Sequence, residues 1–211
     1  SYNRLPSNES REALLETLDA ICQNPQFNNN YTYTLIQNIL EYTVDINDNN
    51  TILNSEEGQL VASIANQMFD FVSSSDCGCQ TEFCKSLDQI AEDYLQRISE
   101  SNLLNKLPGE DPVIIETEYF DLLTVKTTPC TINTTNFNMG DDTPTLNFTL
   151  KDASTVDCDQ ELAVQYYAFK NRAKIFNCGQ SSGDTDSKPE IIIKITDPNT
   201  GKDMKIGRAH V

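Results

Sequence analysis

The chain has 211 residues, of which 38% are hydrophobic, so it is long and apolar enough for one large or two small domains. Its formal net charge of −17 argues against binding to nucleic acid and to anionic membrane surfaces, because both attract basic patches. No stretch approaches the ~20 apolar residues that cross a bilayer, so a membrane link would have to come from missing downstream segments.

Helical periodicity predicts four amphipathic helices in the first half of the chain. Apolar residues follow a helical spacing in residues 7–22, 34–44, 55–72 and 81–100. The apolar stripe of the second segment consists of Leu35, Ile36, Ile39, Leu40 and Val44. Asn54 stands three residues before Glu57, close to the spacing of a capping box, and marks the start of the third helix. Short polar links between the segments favour a small antiparallel bundle over residues 1–108.

The hydrophobic period changes after the turn-rich residues 107–112, Leu-Pro-Gly-Glu-Asp-Pro. Short runs rich in Thr, Val, Ile and Tyr follow, at residues 113–127, 145–150, 161–169 and 190–196. Residues 197–201 form a predicted tight turn, and residues 203–205 begin a return strand. The sequence therefore predicts an α+β fold, with an N-terminal antiparallel helical bundle followed by an incomplete antiparallel β-sandwich over residues 109–205.

The last six residues, Ile206–Val211, read IGRAHV, which the start of a widely used short-read sequencing adaptor encodes. We expect residues 206–211 to be adaptor read-through and exclude them from the fold prediction. The single histidine of the sequence, His210, lies in this tail. No signal peptide is visible at Ser1, so the chain is expected to be a fragment of a longer protein.

Catalytic motifs are absent from the sequence. Without a histidine outside the tail, Ser-His-Asp and Cys-His arrangements are excluded, and 32 acidic residues form carboxylate pairs by chance. Residues 140–142 and 157–159 contain oxygen ligands suited to Ca²⁺, but no EF-hand pattern surrounds them, which favours solvated loops. We expect no catalytic residues, no cofactor and no metal ligands.

Seven cysteines favour an oxidising compartment: Cys22, Cys77, Cys79, Cys84, Cys130, Cys158 and Cys178. We expect Cys84 to pair with Cys77 or Cys79, and the thiol left over could reach Cys22. One pair and one orphan are expected among the last three cysteines. Five Asn-x-Ser/Thr sequons permit glycosylation, at Asn8, Asn30, Asn49, Asn133 and Asn147. The expected location is extracellular, either as the ectodomain of a membrane protein or as a secreted protein.

The order of parts resembles the GAIN (autoproteolysis-inducing) domain, the juxtamembrane extracellular region of polycystin-type and adhesion-receptor proteins. Residues 55–72, SEEGQLVASIANQMFDFV, resemble a middle helix of the helical part of that family. Residues 118–126 resemble the first strand of its sandwich, and residues 190–205 resemble one of its strand pairs. The Cys/Trp-containing cleavage segment of the family is missing, so the resemblance implies nothing about self-cleavage.

These observations lead us to expect a non-enzymatic extracellular segment of a membrane receptor or channel-like protein. It would transmit adhesion or mechanical signals to a following transmembrane region, and its ligand would be an unknown protein or glycan. A secreted adhesion or binding module without a membrane link is the first alternative. A secreted hydrolase that uses paired carboxylates is the second, and converging carboxylates in a pocket would favour it.

Overall fold

The computed structural model describes residues 8–44, 52–73, 82–132, 136–137, 146–149, 157–170, 190–200 and 208–210. The chain has an α+β fold in which N-terminal helices precede the strands, as predicted. Its residues form two compact units. The helical unit comprises Ser1–Ser101, Thr117–Tyr119 and Lys170–Pro189. The strand unit comprises Asn102–Glu116, Phe120–Phe169 and Glu190–Val211.

Four helices occupy the positions that the periodicity predicts: α1 (Asn8–Cys22), α2 (Asn30–Thr43), α3 (Ser55–Ser73) and α4 (Glu82–Asn105). A 3₁₀ turn at Pro25–Phe27 separates the first two. Each helix buries one apolar stripe, because residues three and four positions apart share a face. The largest fully buried side chains of these stripes are Leu15, Leu18, Ile36, Leu40, Ile64, Met68, Phe69, Leu87 and Tyr94.

Helix α2 begins four residues earlier than the sequence predicts. Asn29 caps it, because its side-chain Oδ1 accepts the backbone N–H of Thr32 at 3.0 Å. The extra turn brings Tyr33 into the core, where its ring stacks on Phe71 with the centroids 4.4 Å apart. Leu35 lies away from that face and is 49% exposed, so its predicted place in the buried stripe is wrong.

A buried ion pair joins α1 to the start of α3. Arg11 Nε donates to Glu57 Oε1 at 2.6 Å, and Arg11 Nη2 donates to Glu57 Oε2 at 2.9 Å. Glu57 also completes a capping box, because its Oε2 accepts the N–H of Asn54 while Asn54 Oδ1 accepts the N–H of Glu57, both at 2.8 Å. This confirms the predicted helix start at Asn54. Three donors satisfy a carboxylate that has no exposed surface.

The strand unit contains two antiparallel sheets. The first has the order β1 (Val113–Glu116), β2 (Phe120–Thr127), β5 (Leu162–Phe169) and β6 (Glu190–Thr196). The second has the order β3 (Asn136–Phe137), β4 (Leu146–Thr149) and β7 (Arg208–His210). The predicted run at residues 113–127 is thus a hairpin of two strands. The face-to-face packing of a complete sandwich stays a prediction.

Strand β7 lies in the tail that we attribute to adaptor sequence. It pairs with β4 from Asn147↔His210 to Thr149↔Arg208. An open strand edge offers backbone hydrogen bonds to almost any extended segment, which accounts for this pairing. The predicted return strand at residues 203–205 lies outside the described residues. The turn before it begins as predicted, since Asp197 Oδ1 accepts the N–H of Asn199 at 2.8 Å.

The central pair β2 and β5 is buried along almost its whole length on both faces. One face carries an apolar cluster, and the alternate residues of β6, Ile191, Ile193 and Ile195, pack against it. The cluster consists of Leu123, Val125, Ile132, Leu162, Val164, Tyr166 and Ala168. The pair is not uniformly apolar, because β2 also buries the polar residues Asp121, Thr124 and Thr127.

A disulfide bond closes one end of this central pair. Cys130 lies on the short helix α5 (Pro129–Ile132), directly after β2, and is bonded to Cys158, just before β5. Their Cα atoms are 5.2 Å apart, and Thr127 pairs with Leu162 at the same end of the strands. The bond is the single pair expected among Cys130, Cys158 and Cys178.

We predict that exchanging both Cys130 and Cys158 for Ser destabilises the strand unit by about 3–4 kcal/mol, because the bond closes a loop of 28 residues. Urea unfolding of the full chain, followed by strand-sensitive circular dichroism, measures this loss. Non-reducing peptide mapping should recover the Cys130–Cys158 linked peptide. An unchanged unfolding midpoint in the double variant would contradict the prediction.

We predict that Glu57→Gln destabilises the helical unit by about 3–5 kcal/mol, because it leaves the guanidinium of Arg11 buried without a counter-charge. The helical circular dichroism signal during urea unfolding reports the change. Lys106→Ala is the control, because it breaks a partly exposed ion pair with Glu110 at 3.7 Å in the strand unit and should cost about 0–1 kcal/mol. Equal effects of the two substitutions would refute the assigned role of the buried pair.

Candidate functional site

The structure brings few of the predicted site residues together. The Cys130–Cys158 bond is one exception. Cys22 is buried with a free thiol, so the disulfide to Cys22 that the sequence analysis allowed is not formed. Burial, with a smaller contribution from the charge of Asp19, raises the pKa of this thiol to about 12. Cys77, Cys79 and Cys178 lie outside the described residues, and Cys84 lies on α4 with its side chain outside them.

The predicted glycosylation sites are spread along the chain. Asn30 is exposed at the first residue of α2. Asn8 begins α1 and Asn147 lies on β4, but their side chains are outside the described part of the structure. Asn49 and Asn133 also fall outside it.

Three acidic side chains lie along an open groove between α1 and α3. The groove has a volume of about 570 Å³, and six residues line it: Glu12, Glu16, Ser55, Glu56, Gln59 and Leu60. Its position follows from the buried ion pair, since Glu12 is next to Arg11 in sequence and Glu56 is next to Glu57. When Arg11 and Glu57 join the helices, Glu12 and Glu56 therefore come together at the surface.

The groove is a carboxylate-rich surface whose groups repel one another. Partial desolvation, the charge of Glu56 and a hydrogen bond with its side chain raise the pKa of Glu12 above 4.5, and Glu16 adds to this rise. A raised carboxyl pKa means that ionised Glu12 destabilises the fold above that pKa. This penalty disappears as the pH falls through the pKa and Glu12 gains its proton. A cationic side chain of a partner would relieve the same repulsion.

A second polar cluster holds the turn between β1 and β2, and all its residues belong to the helical unit. Tyr119 donates its hydroxyl to Asp70 Oδ1 at 2.6 Å, and this hydroxyl also lies 3.1 Å from Ser73 Oγ. The backbone N–H of Tyr119 donates to Asn66 Oδ1 at 3.1 Å. These three partners lie on one face of α3, so this helix binds Tyr119 through its hydroxyl and its backbone N–H.

Lys170, the residue after β5, completes this second cluster. Its N–H donates to the carbonyl of Tyr119 at 2.7 Å, and its Nζ donates to the carbonyl of Thr117 at 2.9 Å. Burial and the hydrogen bond to Asp70 raise the pKa of Tyr119 to about 12. Because the folded pKa lies above the ordinary value of 10.0, this contact stabilises the fold fully below pH 10 and is lost between pH 10 and 12.

Neither cluster was identified from the sequence, although one signal was present. Arg11 stands at helical spacing from Leu15, Leu18 and Cys22, and is therefore a cation within an apolar stripe. A buried cation requires an anionic partner, and Glu57, already recognised as part of the capping box, could have been proposed as that partner. The Tyr119 cluster joins residues about 50 positions apart, and no local sequence pattern predicts it.

Within the described ranges, no group of three or more His, Cys, Asp or Glu side chains is arranged to hold a metal ion. Asp157, one of the weighed Ca²⁺ ligands, instead accepts the N–H of Asp159 at 3.0 Å, as a turn residue does. Residues 140–142 are outside those ranges.

No protein-family model matches the chain, and no curated protein matches it. The resemblance to the GAIN region therefore depends on the order of parts and on the quoted segments alone. None of the helices in the described ranges combines the length and apolarity that a membrane span requires.

We predict that Glu56→Gln lowers the pKa of Glu12 towards 4.5, because it removes the neighbouring charge. NMR titration of the side-chain carboxyl carbons measures this shift. Glu41→Gln on the exposed side of α2 is the control and should leave the titration of Glu12 unchanged. If Glu12 titrates identically in all three proteins, the two carboxyl groups do not interact.

Proposed function

We propose that the chain is a non-enzymatic extracellular segment of a membrane receptor or channel-like protein. In this role it transmits adhesion or mechanical signals to a following transmembrane region, with an unknown protein or glycan as ligand. The α+β order of parts and the Cys130–Cys158 bond support the proposal, since disulfides persist in oxidising compartments.

The hydrogen bonds between α3 and Tyr119 are the observation that supports the proposed mechanical role. Thr117–Tyr119 belongs to the helical unit, although β1 and β2 on either side of it belong to the strand unit. Lys170, at the end of β5, returns to the same place. The chain therefore passes repeatedly between the two units, and tension along a strand would load the hydrogen bonds to Asn66 and Asp70.

We predict that Tyr119→Phe weakens the helical unit by about 1.5–3 kcal/mol, because a hydrogen bond to a charged group is lost. In optical-tweezers pulling of the full chain, this variant should unfold at a lower force than the parent. Tyr31→Phe is the matched control, because the Tyr31 side chain is 80% exposed. An unfolding force that Tyr119→Phe leaves unchanged would remove the mechanical part of the proposal.

Sequencing of the native transcript beyond Lys205 tests the membrane link. A Cys/Trp-containing cleavage segment followed by an apolar stretch of ~20 residues supports a receptor. A stop codon without such a stretch contradicts the membrane link and favours the secreted adhesion or binding module.

A secreted hydrolase is the second candidate function, and the contact between Glu12 and Glu56 is the observation that favours it. Paired carboxyl groups are a common means of combining an acid with a base in hydrolases. Turnover of glycoside, ester or peptide substrates that both Glu12→Gln and Glu56→Gln abolish would establish this function. Absence of turnover in the parent chain supports the non-enzymatic role.

A further inference from the structure

We propose that Asn30 carries an N-linked glycan whose first N-acetylglucosamine packs on the exposed rings of Phe27 and Tyr31. The inference rests on the proposed extracellular location. It selects one of the chain's sequons and assigns an occupant to an exposed aromatic patch.

The local hydrogen bonds leave Asn30 available for modification. Its neighbour Asn29 is committed as the helix cap, since Asn29 Oδ1 accepts from the N–H of Thr32 at 3.0 Å and lies 3.2 Å from the Thr32 hydroxyl. The side chain of Asn30 is exposed and forms no hydrogen bond with the described residues. A glycan on Asn30 would therefore break no capping contact, and Asn30-Tyr31-Thr32 meets the acceptor rule.

Two aromatic side chains flank this asparagine at the surface. Phe27 is 46% exposed and Tyr31 is 80% exposed. The N–H of Asn29 donates to the carbonyl of Phe27 at 2.9 Å, so the chain turns tightly between the 3₁₀ turn and α2. This turn keeps Phe27 close in space to the first residue of the helix.

The patch continues along α2 with Leu35, which is 49% exposed and lies one helical turn beyond Tyr31. Exposed apolar side chains at neighbouring positions offer a contact surface to another group. The apolar C–H face of a pyranose ring matches an aromatic ring, and a sugar attached to Asn30 is tethered beside two of them. Because the glycan is covalently attached, it loses less translational and rotational entropy on packing against the rings than a separate partner would.

The first experiment measures occupancy. The full chain is secreted from mammalian cells and treated with peptide N-glycosidase in ¹⁸O-labelled water, so that a glycosylated Asn30 becomes labelled Asp in the peptide map. We expect Asn30→Gln to remove this label and one mobility step in gel electrophoresis. Asn38→Gln is the matched control, since Asn38 is exposed on the same helix outside a sequon and should change neither.

The second experiment measures packing. Enzymatic removal of the glycan should lower the melting temperature of the parent chain by about 2–4 °C. The Phe27→Ala/Tyr31→Ala variant keeps the sequon, and removal of its glycan should change its melting temperature by less than half as much. An equal loss in both proteins would overturn the packing of the sugar on the rings.

The outcomes separate this inference from the proposed location. If protein from the native source contains the Cys130–Cys158 bond but an unmodified Asn30, the inference is wrong and the extracellular location stands. If it contains neither the bond nor a glycan, the location is wrong as well. If the chain without a glycan forms a dimer that Phe27→Ala/Tyr31→Ala disrupts, a second copy covers the patch and the inference is also overturned.

Discussion

The buried contact between Arg11 and Glu57 determines how the helical unit is built. A carboxylate with no exposed surface is tolerated only when donors replace the water that it loses, and Glu57 has donors from two directions. Arg11 also donates through Nη2 to the carbonyl of Ile52 at 3.1 Å, so one guanidinium holds both the helix α3 and the segment that enters it. The N–H of Leu53 donates to Ser101 Oγ at 3.1 Å, which ties the same entry segment to α4.

A different kind of constraint holds the strand unit. Its central strands β2 and β5 pair over eight residues each, from Phe120↔Phe169 to Thr127↔Leu162, and both are buried in almost every position. Since both faces are buried, a slip of one residue would still leave most side chains covered, and burial alone fixes the register weakly. The Cys130–Cys158 bond lies at one end of this pair, and the Tyr119–Lys170 contact lies at the other. The contacts at the two ends of the strand pair together favour the observed register.

The parts of the fold that depend on local signals were predictable. Periodicity located α1, α3 and β5 to within one residue or so, and the spacing of Asn54 and Glu57 gave the start of α3. Helix α2 was placed too late because its predicted start followed the apolar stripe that begins at Leu35, whereas Asn29 caps the helix further upstream. The hairpin turn at Thr117–Tyr119 was missed because it contains neither Gly nor Pro. Hydrogen bonds from α3, rather than turn-forming residues, stabilise it.

The candidate site was harder to predict than the fold. Glu12 and Glu56 are ordinary acidic residues in a sequence with 32 of them, and only the three-dimensional contact of α1 with α3 distinguishes them. Asn30 is likewise one of five sequon asparagines in the sequence, and the structure adds that its side chain is exposed at the start of α2. In both cases the chemistry was visible in the sequence, but the accessibility of each group was not.

The buried thiol of Cys22 has a consequence for how the protein matures. Thiol–disulfide exchange requires a thiolate that can approach a sulfur atom, and burial removes both the charge and the access. Once α1 has packed into the helical unit, Cys22 no longer competes for Cys130 or Cys158. Helix α1 reaches this buried state by packing on α3, through contacts such as Arg11 with Glu57 that span 46 positions. This packing protects the correct cysteine pairing, and a substitution that delays it would be seen first as mispaired disulfides in the strands.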